Sequence, residues 1–187
     1  AEKLNIISLR NLEKIYSIDT LINAAIILKK KTSIEFNIDI YGEGSQKDNL
    51  RSIIESANLQ SLINLKGRFI YDNLPNILMN YNLYCSTSTS DAGIAASTSE
   101  AMSSGLIPII ADNSENDFWV SHNSGFLFKT SSAEDLANII SEFFFLSKEK
   151  KHEMSINARN KILNYNSYDN EMNKMLQLYN ELYNEKN

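Results

Sequence analysis

Residues 90–105, SDAGIAASTSEAMSSG, decide the fold, because they join an apolar strand-like run to a predicted helix. Five small hydroxyl residues, 86–90, come directly before Asp91, and the helix is predicted over 97–104. Small side chains leave backbone N–H groups accessible ahead of a helix N-terminus, an arrangement that favours a diphosphate. Glu100 is expected about one turn inside the helix, where its carboxylate can accept hydrogen bonds from two vicinal hydroxyls of a ribose. The alternative is that Glu100 only complements the helix start.

Strand and helix patterns alternate on both sides of this stretch. Period-two or continuous apolar runs predict strands, and apolar residues at helical spacing predict helices. The alternation predicts an α/β fold, a Rossmann-like parallel sheet with helices on both faces, followed by a helical C-terminal tail. Ligands of such sheets bind at the carboxyl ends of the strands. The predicted strands are 5–9, 37–41, 63–66, 83–85, 107–110 and 125–128; the predicted helices are 18–31, 46–57, 74–81, 97–104, 133–146, 148–164 and 168–184.

The bulk properties narrow the class of protein. A chain of 187 residues with 43% hydrophobic and 22% charged side chains has the composition of one globular domain. A net charge of -5 argues against nucleic acid as a partner. No apolar run approaches a bilayer span and no signal-peptide pattern opens the chain, so a cytoplasmic location is expected. The basic cluster at 148–152 predicts a solvated helix start, with a place at the inner face of the cytoplasmic membrane as the minor hypothesis. The single Cys85 is expected to be a buried thiol.

Two further loops carry residues suited to phosphate. Arg10 and Lys14 follow the first predicted strand, where a guanidinium and an ammonium can grip a diphosphate; solvated surface charges are the alternative. The turn at Gly42 follows the second strand, and Ser45 is a candidate N-cap for the next helix. Because Lys47 stands where the dinucleotide fingerprint needs its third glycine, these glycines mainly indicate turn geometry.

Taken in order, the landmarks along the chain resemble one family. They are LRNLEK, DTLINAAIILKKK, IYGEGSQKDNLRSII, LKGRFIYDNLPNILMNYNLYCSTSTSDAGIAASTSEAMSSGLIPIIAD, and GFLF followed by AEDLANII. Together they resemble the C-terminal, nucleotide-sugar-binding domain of retaining GT-B glycosyltransferases of the group that builds lipopolysaccharide, O-antigen and capsule sugars. The resemblance implies one half of a GT-B fold, with a donor-binding domain over 1–165. It also implies a helix over 166–187 that packs toward an N-terminal acceptor-binding domain absent from this chain.

The resemblance also implies roles for individual residues. Glu100 corresponds to the second Glu of the family's Glu-x7-Glu motif, which binds the ribose, and Arg10 to its diphosphate-binding Arg. Backbone N–H groups of Gly93, Ile94 and Ala95 are expected to meet the phosphates and the donor sugar. The segment formed by Gly67, Arg68 and Phe69 is expected to flank the base, and Gly42 is assigned to the donor site.

This sequence departs from the family pattern at two positions. The motif spacing puts the first Glu at Ala92, so Asp91, one residue further from Glu100, is expected to hold the donor-sugar hydroxyls. The family's diphosphate Lys falls at Ile15. Either Lys14 substitutes for it, or Tyr16 has replaced it and Arg10 acts with less help.

The function implied by the resemblance is transfer of a hexose or N-acetylhexosamine from a nucleotide diphosphate sugar, with UDP as the expected nucleotide. The acceptor is expected to be lipid-linked or a saccharide, the anomeric configuration retained, and no metal or other cofactor needed. Arg10, Lys14 and Asp91 form the expected catalytic set, and this chain alone is expected to bind nucleotide weakly and to transfer nothing. Two alternatives stay open: a sugar-nucleotide 2-epimerase of GT-B fold, and a non-catalytic α/β binding or signalling module.

Overall fold

The computed structural model describes residues 3–184, and its centre is a six-stranded sheet in which every described pairing is parallel. The strand order is β3-β2-β1-β4-β5-β6. Since β1 and β4 are neighbours, the chain changes its direction of winding between them, and a crevice opens at their carboxyl ends. The strands are β1 (Leu4–Ser8), β2 (Phe36–Tyr41), β3 (Ile63–Gly67), β4 (Leu83–Ser86), β5 (Ile107–Asp112) and β6 (Phe126–Lys129).

Eight α-helices lie within residues 3–184, and six of them pack in the apolar clusters on the two faces of the sheet. One apolar cluster packs α1, α2 and α6 on one face, and a second packs α3, α4 and α7 on the other. The inner strands supply both clusters, because successive side chains point to opposite faces: Ile6 lies in the first cluster and Ile7 in the second. The helices are α1 (Ile18–Lys31), α2 (Lys47–Ser56), α3 (Leu74–Leu78), α4 (Ala96–Ser103), α5 (Asn116–Trp119), α6 (Ala133–Phe145), α7 (Lys148–Tyr165) and α8 (Tyr168–Asn184).

The predicted Rossmann-like α/β fold is confirmed, and local boundaries differ for identifiable reasons. The proposed N-cap role of Ser45 is wrong: α2 begins at Lys47, and the Ser45 hydroxyl donates to Glu13 Oε2 at 2.6 Å instead. The helix predicted over 74–81 ends at Leu78, because Asn80 Nδ2 donates to the Asn76 carbonyl at 2.7 Å and closes the last turn. Helix α5 was not predicted; it lies in a polar loop without helical periodicity.

Cys85 is buried in β4, as predicted, and burial raises the pKa of its thiol. A thiol that stays protonated is a poor nucleophile. Its place in the first apolar cluster makes Cys85 a packing residue.

Helix α8 lies at the end of the described chain with an exposed apolar face. Its apolar side chains Met175, Leu176, Tyr179 and Leu182 are each about half exposed. The helix contacts α7. The prediction that α8 packs toward another domain stays a prediction. No helix in residues 3–184 has the length and apolar character that a membrane span requires.

A buried carboxylate links β2, β3 and the turn before β4. Asp39 accepts hydrogen bonds from Tyr81 Oη (2.6 Å), Asn64 Nδ2 (2.7 Å) and Asn37 Nδ2 (3.1 Å), and Lys66 Nζ lies 3.6 Å away. Burial alone would raise the pKa of the Asp39 carboxyl, but these hydrogen bonds and the Lys66 charge hold that pKa below its ordinary value. The charged form of Asp39 therefore stabilises the sheet.

This network predicts a pH-dependent stability. The unfolded pKa of Asp is about 3.9, and the folded pKa of Asp39 is lower, so its contribution is complete above that value and disappears as the pH falls through the folded pKa. We expect Asp39→Asn to reduce the free energy of unfolding at pH 7, with a difference from the wild type that shrinks toward pH 2. Urea unfolding across this range measures it, with the exposed Asp112→Asn as control. A difference independent of pH would contradict the assignment.

Candidate functional site

The loop after β1 carries Arg10 and lies tightly against the loop after β2. The Leu12 N–H donates to the Glu43 carbonyl at 3.0 Å. A Cβ atom on Gly42 would lie 2.4 Å from the Arg10 carbonyl oxygen, and one on Gly44 would lie 2.4 Å from the Leu12 carbonyl oxygen. Because glycine lacks that atom, the two loops can approach this closely. Gly42 therefore acts on the site through the backbone from which Arg10 projects.

The Arg10 side chain is buried among three partners. Its Nη2 forms an ion pair with Asp91 Oδ1, its Nη1 donates to Ser97 Oγ at 3.4 Å, and its guanidinium lies 4.4 Å from the centroid of the Tyr16 ring. The Arg10 and Asp91 side chains are only 9% and 11% exposed. Charges in such a place attract each other more strongly than at the surface. The pair therefore joins the loop after β1 to the loop after β4.

Asp91 is fixed from two sides. Besides the ion pair, its backbone N–H donates to Ser114 Oγ at 3.2 Å, which ties this loop to the one after β5. Among the described residues no hydrogen bond reaches Asp91 Oδ2. One carboxylate oxygen is thus engaged by Arg10 and the other stays available, and the role of Asp91 as a ligand of the donor sugar stays a prediction.

Backbone N–H groups are open at the start of α4. The residue before the helix is Ala95, whose side chain cannot accept a hydrogen bond, so the first-turn N–H groups have no side-chain cap. Gly93 has a φ of +74°, and a Cβ there would meet nothing within 4 Å. The unobstructed backbone, the helix N-terminus and the nearby Arg10 together favour an anion at this point. The structure brings Arg10 and Asp91 into contact, and the roles expected of Asp91 and Gly93 toward a ligand stay predictions.

Glu100 lies one turn further along α4 and is partly buried. Its Oε1 accepts a hydrogen bond of 2.7 Å from Tyr71 Oη. This bond and the charge of Glu100 raise the pKa of Tyr71, because they oppose a second negative charge. Beside the pair a pocket of about 260 Å³ opens between α3 and α4. It is lined by Tyr71, Asp72, Leu74, Pro75, Leu78, Glu100 and Ser104.

The segment predicted to flank a base lies at the same edge of the sheet. Gly67 ends β3 with a φ of +72°, and its carbonyl accepts from the Gly42 N–H at 2.8 Å. Phe69 packs edge-on against Tyr41, with ring centroids 5.8 Å apart, while Arg68 is exposed. The segment is therefore anchored beside the loop after β2. Its contact with a base stays a prediction.

Lys14 lies on a 3-10 turn, Lys14–Tyr16, with an exposed side chain. Its ammonium makes no hydrogen bond or ion pair within residues 3–184. The turn itself is fixed, because the Thr89 N–H donates to the Ile15 carbonyl at 2.9 Å and Thr87 Oγ1 to the Tyr16 carbonyl at 2.8 Å. Tyr16, the residue that replaces the family's Lys in the second interpretation, has a defined contact with Arg10. The part of Lys14 in diphosphate binding stays a prediction.

Three residues that shape the site were not predicted from the sequence. Tyr71 holds Glu100, Ser97 contacts Arg10, and the fully buried Tyr84 shares a hydrogen bond of 2.8 Å with Ser97 Oγ. Tyr71 follows β3 by four residues, so its place at the carboxyl edge was a usable signal. Tyr84 sits inside a buried strand, where an aromatic residue indicates packing alone.

The chain matches a known family and several named proteins. Residues 1–161 match the family described as "Glycosyl transferases group 1". The GtfA subunit of a UDP-N-acetylglucosamine–peptide N-acetylglucosaminyltransferase from Streptococcus agalactiae is 34% identical over 158 residues, which are 79% of this chain and 30% of that protein. A poly(ribitol-phosphate) alpha-N-acetylglucosaminyltransferase from Staphylococcus aureus (strain COL) is 32% identical over 168 residues, 87% of this chain and 32% of that protein. The chain thus spans about a third of these relatives.

Solved structures agree with these matches. A variant of S. aureus TarM in complex with fondaparinux, alpha-GlcNAc-glycerol and UDP superposes with a TM-score of 0.81 at 27% identity, covering 94% of this chain and 35% of that one. The pneumococcal O-GlcNAc transferase GtfA, in complex with UDP and GlcNAc, superposes with a TM-score of 0.75 at 25% identity, covering 97% and 35%.

The buried ion pair between Arg10 and Asp91 is expected to contribute to the free energy of unfolding. Removing one partner leaves an uncompensated charge, so Arg10→Met and Asp91→Leu are each expected to lower the free energy of unfolding by about 3 kcal/mol. The double variant is expected to lose much less than the sum, because both charges are gone. Urea unfolding of the four proteins measures the coupling.

The exposed pair of Lys31 and Glu134 provides a matched control, since its side chains are 59% and 68% exposed. Its coupling in the same cycle should not exceed about 1 kcal/mol. Equal coupling in the two cycles would show that the Arg10–Asp91 pair contributes no more than a surface contact.

Proposed function

The chain belongs to the glycosyl transferases group 1 family, and from this premise we propose that it is the donor-binding domain of a retaining GT-B glycosyltransferase that uses UDP-N-acetylglucosamine. Two relatives at 34% and 32% identity are named N-acetylglucosaminyltransferases. Two structural neighbours were solved with UDP. These names support N-acetylglucosamine as the sugar, within the expected range of a hexose or an N-acetylhexosamine.

The observation that carries the proposal is the grouping at the carboxyl ends of β1 and β4. Arg10, the open backbone around Gly93 and the N-terminus of α4 form one positively polarised corner, and Glu100 follows on the same helix. The corner suits a diphosphate, and Glu100 suits the ribose hydroxyls. A nucleoside diphosphate needs both at once.

Arg10 has a defined part in the proposed reaction. When donor binds, its guanidinium exchanges Asp91 for the diphosphate, and the released carboxylate turns to a hydroxyl of the donor sugar. As the bond from the anomeric carbon to the diphosphate breaks, negative charge grows on the leaving group. Arg10 and the N–H groups at the start of α4 stabilise that charge, so this route needs no metal ion. The Lys14 ammonium also stabilises this negative charge if its side chain turns toward the phosphates.

We propose that residues outside this chain bind the acceptor. Neither Asp91 nor Glu100 is proposed as a nucleophile, and acceptor recognition is assigned to a separate N-terminal domain. The acceptors printed in the names of the relatives are a peptide and poly(ribitol-phosphate). We therefore propose a protein or a cell-surface polymer as acceptor, reached from the cytoplasm; the lipid-linked acceptor of lipopolysaccharide and O-antigen synthesis stays a prediction. In this proposal the 187-residue chain binds donor and does not transfer sugar alone.

Calorimetry with UDP, GDP and ADP tests the proposed donor. We expect UDP to bind more tightly than GDP or ADP. Glu100→Ala should weaken UDP binding at least about tenfold, because it removes charge-assisted hydrogen bonds to the ribose worth about 1.5–3 kcal/mol.

Glu55→Ala is the matched control, since Glu55 is an exposed glutamate in the last turn of α2. It should leave the affinity for UDP unchanged. Absence of UDP binding in the wild-type chain, or equal effects of the two alanine variants, would overturn the proposed site.

A further inference from the structure

We propose that Tyr71 is a nucleoside-recognising residue of this site: its hydroxyl positions the Glu100 carboxylate toward the ribose, and its ring covers the nucleobase. The inference rests on the proposed function, because it takes Glu100 as the ribose ligand. It adds a residue that the family motif does not contain.

The geometry around Tyr71 is unusual for a surface aromatic residue. The side chain is 66% exposed, yet its hydroxyl is held 2.7 Å from Glu100 Oε1. The 3-10 turn that carries it, Tyr71–Asn73, runs directly into α3, whose first residue Leu74 is only 4% exposed. The backbone is thus anchored, while about two thirds of the residue is exposed to solvent. An exposed aromatic ring fixed at both ends is available to stack on a ligand.

The hydrogen-bonding capacity of the pair matches a vicinal diol. A carboxylate has about four acceptor positions, and Tyr71 occupies one of them on Oε1 of Glu100. Positions remain on both oxygens for the 2′- and 3′-hydroxyls of a ribose. Tyr71 Oη keeps its own acceptor lone pairs after donating to Glu100. Fixing the carboxylate in advance lowers the entropy cost of binding.

The surroundings match a nucleoside as well. Tyr71 and Glu100 both line the pocket of about 260 Å³ between α3 and α4, whose inner surface includes the apolar Leu74 and Leu78. The proposed base-flanking segment ends at Phe69, two residues before Tyr71 on the same loop. A ribose held at Glu100 therefore places its base near the Tyr71 ring. Stacking of a base on an aromatic side chain contributes about 1–3 kcal/mol.

The test combines two variants with two ligands, UDP and 2′,3′-dideoxyuridine diphosphate, in calorimetric titrations. Tyr71→Phe removes only the hydroxyl, so we expect it to weaken UDP binding about three- to tenfold. It should leave binding of the dideoxy ligand unchanged, because that ligand has no hydroxyls for Glu100 to hold. Tyr71→Ala also removes the ring and should weaken both ligands. Tyr168→Phe, in an exposed tyrosine on α8, is the control and should change neither.

Two results would overturn the role of Tyr71. One is a Tyr71→Phe variant that binds UDP as the wild type does; the other is a variant that loses the same factor for both ligands, which indicates a merely structural effect. Either of these, with UDP binding and the Glu100→Ala effect intact, removes this inference and leaves the proposed function standing. If the wild-type chain binds no UDP, the proposed function falls and this inference falls with it.

Discussion

The ion pair between Arg10 and Asp91 is the contact around which the rest of this site is arranged. It joins two loops that leave neighbouring strands, β1 and β4, at the point where the winding of the sheet reverses. The close approach at Gly42 fixes the Arg10 backbone, and the Tyr16 ring lies against its guanidinium. Ser97 then connects Arg10 to the first turn of α4. A buried cation thus sits beside a helix N-terminus, and Asp91 is the only carboxylate that contacts it in residues 3–184.

Helix α4 sets the distance between Arg10 and Glu100. Its open N-terminus lies beside Arg10, while Glu100 lies four residues after the first helical residue, about 6 Å along the axis at 1.5 Å per residue. The helix keeps the proposed anion-binding point and the Glu100 carboxylate at a fixed separation. The hydrogen bond from Tyr71 connects Glu100 to the loop after β3. The loops that follow β1, β3 and β4 are therefore linked by side-chain contacts at one edge of the sheet, which is where we propose that the nucleotide binds.

Patterns along the sequence were sufficient for the fold and for the positions of several candidate site residues in it. Short apolar runs and helical spacing located every strand and all the longer helices, because burial on both faces of a sheet leaves a strong periodic signal. They also placed Arg10 and Glu100 at the carboxyl edge. The pairing of Arg10 with Asp91, 81 residues apart, was out of reach, since the side-chain direction in an irregular loop follows no period. The contact of Tyr71 with Glu100 was missed for the same reason.

In the proposed function Arg10, the start of α4 and Glu100 bind one nucleoside diphosphate together. A crystal structure of the chain soaked with UDP would report on all three contacts at once. We predict phosphate oxygens within hydrogen-bonding distance of the Arg10 guanidinium and of the N–H groups near Gly93, with the Asp91 contact opened and the ribose hydroxyls on Glu100. UDP bound elsewhere, or bound here with the Arg10–Asp91 pair intact and no phosphate on Arg10, would contradict it.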